Sequence, residues 1–184
     1  DMRMTPEGAS AADLLNDAPA DELARVFREY GEERRARALA REVVRRRAAS
    51  PLRVSDDLVA AIVRVLGPGV AAQDTARIFQ ALRIAVTGEL EALENALPAL
   101  RDALRDGGVL VVISYHSLED RLVKNAFREW SRECVCPPEL PVCACRGRAL
   151  GRSLTRKPER PSADEVASNP RARSALLRAW RKAA

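Results

Sequence analysis

The chain has 184 residues, of which 47% are hydrophobic and only 4% aromatic, with a formal net charge of +5. That suffices for one domain or two small ones with aliphatic cores, and no apolar run approaches the roughly 18 residues that a membrane-spanning helix needs. The charge is uneven. Residues 1–120 carry 16 Lys and Arg against 20 Asp and Glu, whereas residues 121–184 carry 15 against 6. A basic C-terminal third suits a polyanion such as RNA, or else is a solubilising surface. Arginine supplies 28 of the 31 cations, which a GC-rich genome would also produce. The opening residues lack the basic flank and apolar core of a secretory signal, so the expected location is the cytoplasm. The chain starts on Asp1 rather than Met, inside what reads as a continuing segment, and a fragment is expected.

Residues 1–9 have no periodicity and read as a loop. Ser10 is placed to cap a short helix through Leu15, since its hydroxyl can accept an orphan backbone N–H. Asp21 opens a second helix that Gly31 closes. Leu23, Val26, Phe27 and Tyr30 fall on one stripe of it. A third helix is expected from about Glu32 to Arg47, with Leu39, Val43 and Val44 inward and its arginines mostly solvated. Ser50-Pro51 breaks the chain. Ser55 is expected to cap a fourth helix with Asp56 and Asp57 in its first turn, where the macrodipole favours anions. From Asp74 a long helix carries Ile78, Phe79, Leu82, Ala85 and Val86 on one stripe, with Gly88 as a kink and Pro98 starting a last segment. Residues 10–88 thus read as an all-α domain.

Residues 89–184 read as α/β. After the Gly107-Gly108 turn, Val109 to Ile113 form a continuous apolar run, as in a strand buried on both faces of a parallel sheet. It ends abruptly in Ser114, Tyr115, His116 and Ser117, followed by a helix from Leu118 to Trp130. A strand feeding a helix sets its last residues at the carboxyl edge of the sheet, where open α/β sheets bind ligands. His116 is the one histidine of the chain. The bland alternative is that Ser114 and Ser117 cap the helix and His116 makes a structural hydrogen bond. Further on, Leu150 to Lys157 reads as a strand, Ser162 to Ala167 as a capped helix, and Ser174 to Trp180 as a final strand.

All four cysteines lie within the segment 131–148, as Cys134, Cys136, Cys143 and Cys145 in the pattern C-x-C-x6-C-x-C. In a reducing cytosol, clustered thiols read as metal ligands before disulfides, and four thiolates suit a structural tetrahedral zinc. Free thiols or disulfides are the alternative.

Several ordered motifs carry a resemblance: Phe79-Gln80-Ala81-Leu82-Arg83-Ile84, Ile113 to Arg121, Lys157-Pro158, and Asn169-Pro170-Arg171-Ala172-Arg173-Ser174. Together with Asp1-Met2-Arg3-Met4, they make the chain resemble the bacterial 16S rRNA cytosine-N4 methyltransferase family, also called MraW, over essentially its whole length. It departs from the family pattern at Thr5, Ala72-Gln73, Thr87-Gly88 and Tyr115. The glycine-rich cofactor loop of that family has no counterpart here.

The resemblance implies the C-terminal half of a Rossmann-like S-adenosylmethionine-dependent methyltransferase sheet plus an inserted all-α domain. It implies S-adenosylmethionine as methyl donor, bound mainly outside this chain, and hence a chain inactive on its own. It implies 16S rRNA and the small ribosomal subunit as partners, with a homodimer as an option. Ser114, Tyr115, His116 and Ser117 are then the candidates for the substrate edge, with Tyr115 stacking on the base and His116 accepting a proton or binding phosphate. Arg83, Lys157, Asn169, Arg171 and Arg173 are the candidates for RNA contact. The competing reading is a non-catalytic RNA-binding module with a structural zinc loop, or a purely structural helical domain.

Overall fold

A computed structural model describes residues 1–4, 6–137, 142 and 144–184. The chain divides into two compact units, Asp1–Glu89 and Leu90–Ala184.

Among the described residues the first unit is built from five helices: α1 (Ala11–Asp17), α2 (Ala20–Glu29), α3 (Ala36–Ala49), α4 (Ser55–Leu66) and α5 (Ala72–Thr87). Ser10 caps α1 in a capping box, its hydroxyl accepting from Asp13 N–H at 3.2 Å while the Asp13 carboxylate accepts from Ser10 N–H at 2.8 Å. The stripe of α2 is buried, with Leu23 and Phe27 fully inaccessible, and it packs with Leu39 and Val43 of α3, Leu58 and Ile62 of α4, and Ile78 and Leu82 of α5. The Asn16 side chain ties α1 to the break before α4, donating to Leu52 carbonyl and accepting from Leu52 N–H, each at 2.9 Å.

Four expectations need correction in this unit. Helix α3 starts at Ala36 rather than Glu32, because Glu32 takes a positive φ of 49° and Glu33 N–H turns back to the Phe27 carbonyl. Ser55 is the first helical residue of α4 and not its cap. Asp57 satisfies that end, its carboxylate accepting from Arg53 and Val54 N–H at 2.7 and 3.0 Å. The last arginines of α3 are structural as well as solvated: Arg46 donates to the Ala60 carbonyl, and Arg47 donates to the Leu15 and Ala18 carbonyls at the end of α1. Gly88, in the left-handed region at φ 65°, ends α5 outright rather than kinking it, a conformation glycine takes at no steric cost.

The second unit contains most of helix α6 (Glu89–Ala103), then strand β1 (Val109–Ser114), helix α7 (Ser117–Trp130), strand β2 (Gly151–Ser153), helix α8 (Ala163–Ser168), a 3-10 helix (Pro170–Ser174) and strand β3 (Leu176–Lys182). Pro98 lies inside α6 rather than starting a segment. The sheet order is β1-β3-β2 and both pairings are antiparallel.

This corrects the expectation of a parallel strand buried on both faces. Leu110 and Val112 face the core, where they pack with Val123, Phe127, Trp130 and Trp180. Val109, Val111 and Ile113 on the other face are 39%, 51% and 52% exposed. The continuous apolar run hid this alternation, because every residue on it is hydrophobic. The core is aromatic: Trp130 and Trp180 meet edge-on with ring centroids 5.3 Å apart, and the Trp180 indole N–H donates to Ser131 Oγ at 3.2 Å. Buried indole nitrogens normally find such a partner. The strand expected from Leu150 to Lys157 shortens to three residues, with one further bridge between Glu159 and Leu177. Ser162 caps α8 by accepting from Glu165 N–H at 3.1 Å.

Candidate functional site

Register decides what shares the polar end of β1. Ser114, its last residue, stands opposite Leu176, the first residue of β3. The 3-10 helix Pro170–Ser174 leads directly into β3, so Asn169, Arg171 and Arg173 arrive at the same end of the sheet as Ser114 to Ser117. Ile113 pairs with Leu177, which also bridges to Glu159 on its other side. Lys157 lies between that bridge and Thr155, whose hydroxyl accepts from Ala179 N–H at 3.1 Å, and so runs beside the middle of β3. Lys157, Asn169, Arg171 and Arg173 are all exposed, while Ala172 between the two arginines is buried and anchors the turn.

Within the polar segment each residue has a different station. Ser114 is buried at 3% exposure and Tyr115 is 57% exposed. His116 is the N-cap of α7: its Nδ1 accepts from Glu119 N–H at 3.3 Å, and the Glu119 carboxylate accepts from Tyr115 and His116 N–H at 2.8 and 3.3 Å. This is a reciprocal capping box in which imidazole takes the place of a hydroxyl. It corrects one expectation: neither Ser114 nor Ser117 caps the helix, and His116 does. Ser117, exposed, opens α7.

Behind this edge lies an ion pair that sequence reading passed over. Arg178 on β3 donates to the Asp120 carboxylate in the first turn of α7 through Nε and a terminal nitrogen, at 2.7 and 2.9 Å. Both side chains are largely buried, at 8% and 15% exposure. Glu119 and Asp120 stand in the quoted motif, and the three-residue spacing of His116 and Glu119 was the available signal. Nothing local marks Arg178 as the partner of Asp120.

The remaining candidates lie elsewhere. Arg83 belongs to the first unit, where its guanidinium donates to the Glu89 carboxylate at 2.8 Å. Cys134, Cys136 and Cys145 follow the C-terminus of α7. A helix of 14 residues separates them from His116 by about 20 Å along its axis. Cys143 lies outside the described residues. The glycine-rich cradle that a nucleoside cofactor requires has no counterpart among the described residues at the Ser114 end. Gly107 and Gly108 sit at the opposite end of β1, in the turn that enters it.

The sequence model of the MraW methylase family matches residues 1–183. The chain is 59% identical over 184 residues to a "Ribosomal RNA small subunit methyltransferase H" of Gemmatimonas aurantiaca, covering all of this chain and 58% of that protein. It is 53% identical over 187 residues to the protein of that name from Heliobacterium modesticaldum, covering 99% of this chain and 59% of the relative. For the Thermomicrobium roseum protein of that name the figures are 50% over 181 residues, 97% and 56%. The chain therefore spans somewhat under three fifths of the length of these relatives. With the family match running from the first residue to the last but one and the motif order intact, the chain belongs to the MraW methylase family.

Proposed function

We propose that this chain forms the RNA-facing part of an enzyme that methylates the exocyclic N4 of a cytosine in small-subunit rRNA, with S-adenosylmethionine as methyl donor. Beyond family membership, one observation carries the reading. The register of β1 against β3 brings an exposed aromatic, the start of α7 and two exposed cations, Arg171 and Arg173, to one end of the sheet. In this reading the sheet is the closing part of a Rossmann-like methyltransferase fold and the first unit is the helical insertion.

An exocyclic amine is a poor nucleophile because its lone pair is delocalised into the ring, so the site works mainly by positioning. The exposed ring of Tyr115 offers a stacking platform for a base taken out of its stack. Lys157, Arg171 and Arg173 bind the flanking phosphates, and Asn169 offers an amide to phosphate or base. Ser117, at the start of α7, presents its hydroxyl and a backbone N–H at the same edge. The capping role of His116 makes it a positioning residue, which keeps Tyr115 and Ser117 in place. The described residues at this end of the sheet offer no glycine-rich cradle for the donor.

The test is an exchange of the chromosomal coding segment for one encoding Arg171→Gln and Arg173→Gln, followed by nucleoside analysis of small-subunit rRNA. N4-methylcytidine derivatives in the decoding region should fall, and deletion of the segment should abolish them. Undiminished N4 methylation after deletion overturns the assignment. Binding of the purified chain to a small-subunit rRNA fragment should weaken with salt, and the double substitution should reduce the salt slope by about two contacts' worth.

A further inference from the structure

The cysteine segment takes no part in the site above, yet it is the most organised thiol cluster that the chain offers. The Sγ atoms of Cys134, Cys136 and Cys145 all lie within 4.8 Å of one another. Cys134 and Cys145 are 3.9 Å apart, sulfur to sulfur. A zinc–sulfur bond is about 2.3 Å, so two thiolates on one tetrahedral zinc sit about 3.8 Å apart. A disulfide requires an S–S separation of about 2 Å. The spacing thus matches sulfurs that share a cation.

The backbone supports the same conclusion. The residue inside each C-x-C pair donates its N–H to a sulfur of the other pair: Val135 N–H to Cys145 Sγ and Ala144 N–H to Cys136 Sγ, both at 3.4 Å. Amide donors aimed at sulfur stabilise negative charge on it, and such outer partners orient metal ligands. The segment is also tied down at its root. Arg146 donates to the Glu129 and Arg132 carbonyls at 2.6 and 3.3 Å and lies 3.5 Å from the Glu129 carboxylate, and Leu150 N–H closes onto the Trp130 carbonyl at 2.8 Å. Arg132, Arg146 and Arg148 neighbour the cysteines in sequence. A hydrophobic core is absent from this segment among the described residues, since Val142 is 76% exposed and none of residues 132–149 is buried.

We propose that Cys134, Cys136 and Cys145 ligate a structural Zn²⁺ that clasps the segment after α7 to the start of β2. The thiolate set is soft, which favours zinc over the hard cations. The cation replaces the apolar burial that the segment lacks, as in small metal-stabilised loops. The clasp is remote from the RNA-facing edge and independent of the proposed methylation.

Protein purified under reducing conditions from zinc-supplemented cells should contain about one zinc per chain by elemental analysis. Replacement by Co²⁺ should give the intense visible bands of a tetrahedral thiolate site. Cys134→Ser with Cys145→Ser should remove the metal. The melting of the helical first unit, followed separately, should stay unchanged and serve as the folding control. Chelation of the wild type should open Arg146 and Arg148 to trypsin many times faster while other sites stay protected. Absence of zinc, an octahedral cobalt spectrum, a disulfide among these cysteines in freshly reduced protein, or full zinc content in the double variant would each overturn the proposal.

Discussion

Asp120 and Arg178, 58 positions apart in sequence, are joined by two charge-assisted hydrogen bonds that lock the first turn of α7 to the middle of β3. Each partner is mostly shielded from water, so each depends on the other to satisfy its charge. The pair holds the two chain segments that form the candidate site: the strand-to-helix turn at Ser114–Ser117 and the 3-10 helix leading into β3.

Removing one partner should therefore cost far more than removing both. Asp120→Ala leaves a buried guanidinium unpaired and should destabilise the second unit by about 3–5 kcal/mol. The double variant Asp120→Leu with Arg178→Met should recover much of that. Chemical denaturation of the four members of this cycle measures the coupling. A single-variant loss no larger than that of an exposed pair would contradict the burial.

His116 separates capping from chemistry. His116→Ala should lose about 1 kcal/mol through the missing N-cap acceptor. His116→Asn restores an acceptor at the right distance and should restore the stability. If His116 acts only by holding the turn, His116→Asn should also retain most of the rRNA methylation in cells. A stable His116→Asn protein with methylation abolished would instead give the imidazole a direct part in the reaction.

The helical unit should be acid-sensitive in a defined window. Glu42 accepts from Arg45 and Arg46, and the hydrogen bond from Arg45 is the main cause that holds its carboxyl down from 4.5 to about 2. The backbone N–H of Ser10 holds Asp13 low, and those of Val54 and Arg53 hold Asp57 low. A carboxyl whose value is depressed on folding adds stability that is complete above its unfolded value and is lost as pH falls through its folded value. Melting of the first unit should thus decline from about pH 4.5 toward pH 2. Glu42→Gln should melt below wild type at neutral pH, and the two curves should converge at the acid end. Parallel curves throughout would rule out the pairing as their cause.

Gly151 opens β2 where no side chain fits. A Cβ there would overlap the Arg181 carbonyl and the ring of Trp180, the fully buried centre of the aromatic core. Gly151→Ala should cost about 1–3 kcal/mol through overpacking and should quench or shift the tryptophan fluorescence. Gly69→Ala, where open space surrounds the position, is the matched control and should be near neutral.

Much of this protein is written locally. The stripe of Leu23, Val26 and Phe27 and the Ser10 and Ser162 caps were legible because each depends on residues within one or two turns of itself. The ordered motifs led to the family for the same reason: they are short and contiguous. Pairing was not legible. Val109 to Ser114 is apolar at nearly every position, and such a run fits a strand covered on both faces as well as one covered on a single face. Only its antiparallel register with Leu176–Lys182 settles which residues face Trp180. That register also brings Arg171 and Arg173 to Tyr115's end of the sheet and sets Arg178 against Asp120. Likewise, the cysteine spacing suggested a shared cation, but the reciprocal N–H donation from Val135 and Ala144 needed the folded loop. Local propensity and capping act over a few residues and can be read along the chain. Strand register and buried charge pairing join segments some sixty residues apart, and tertiary packing decides them.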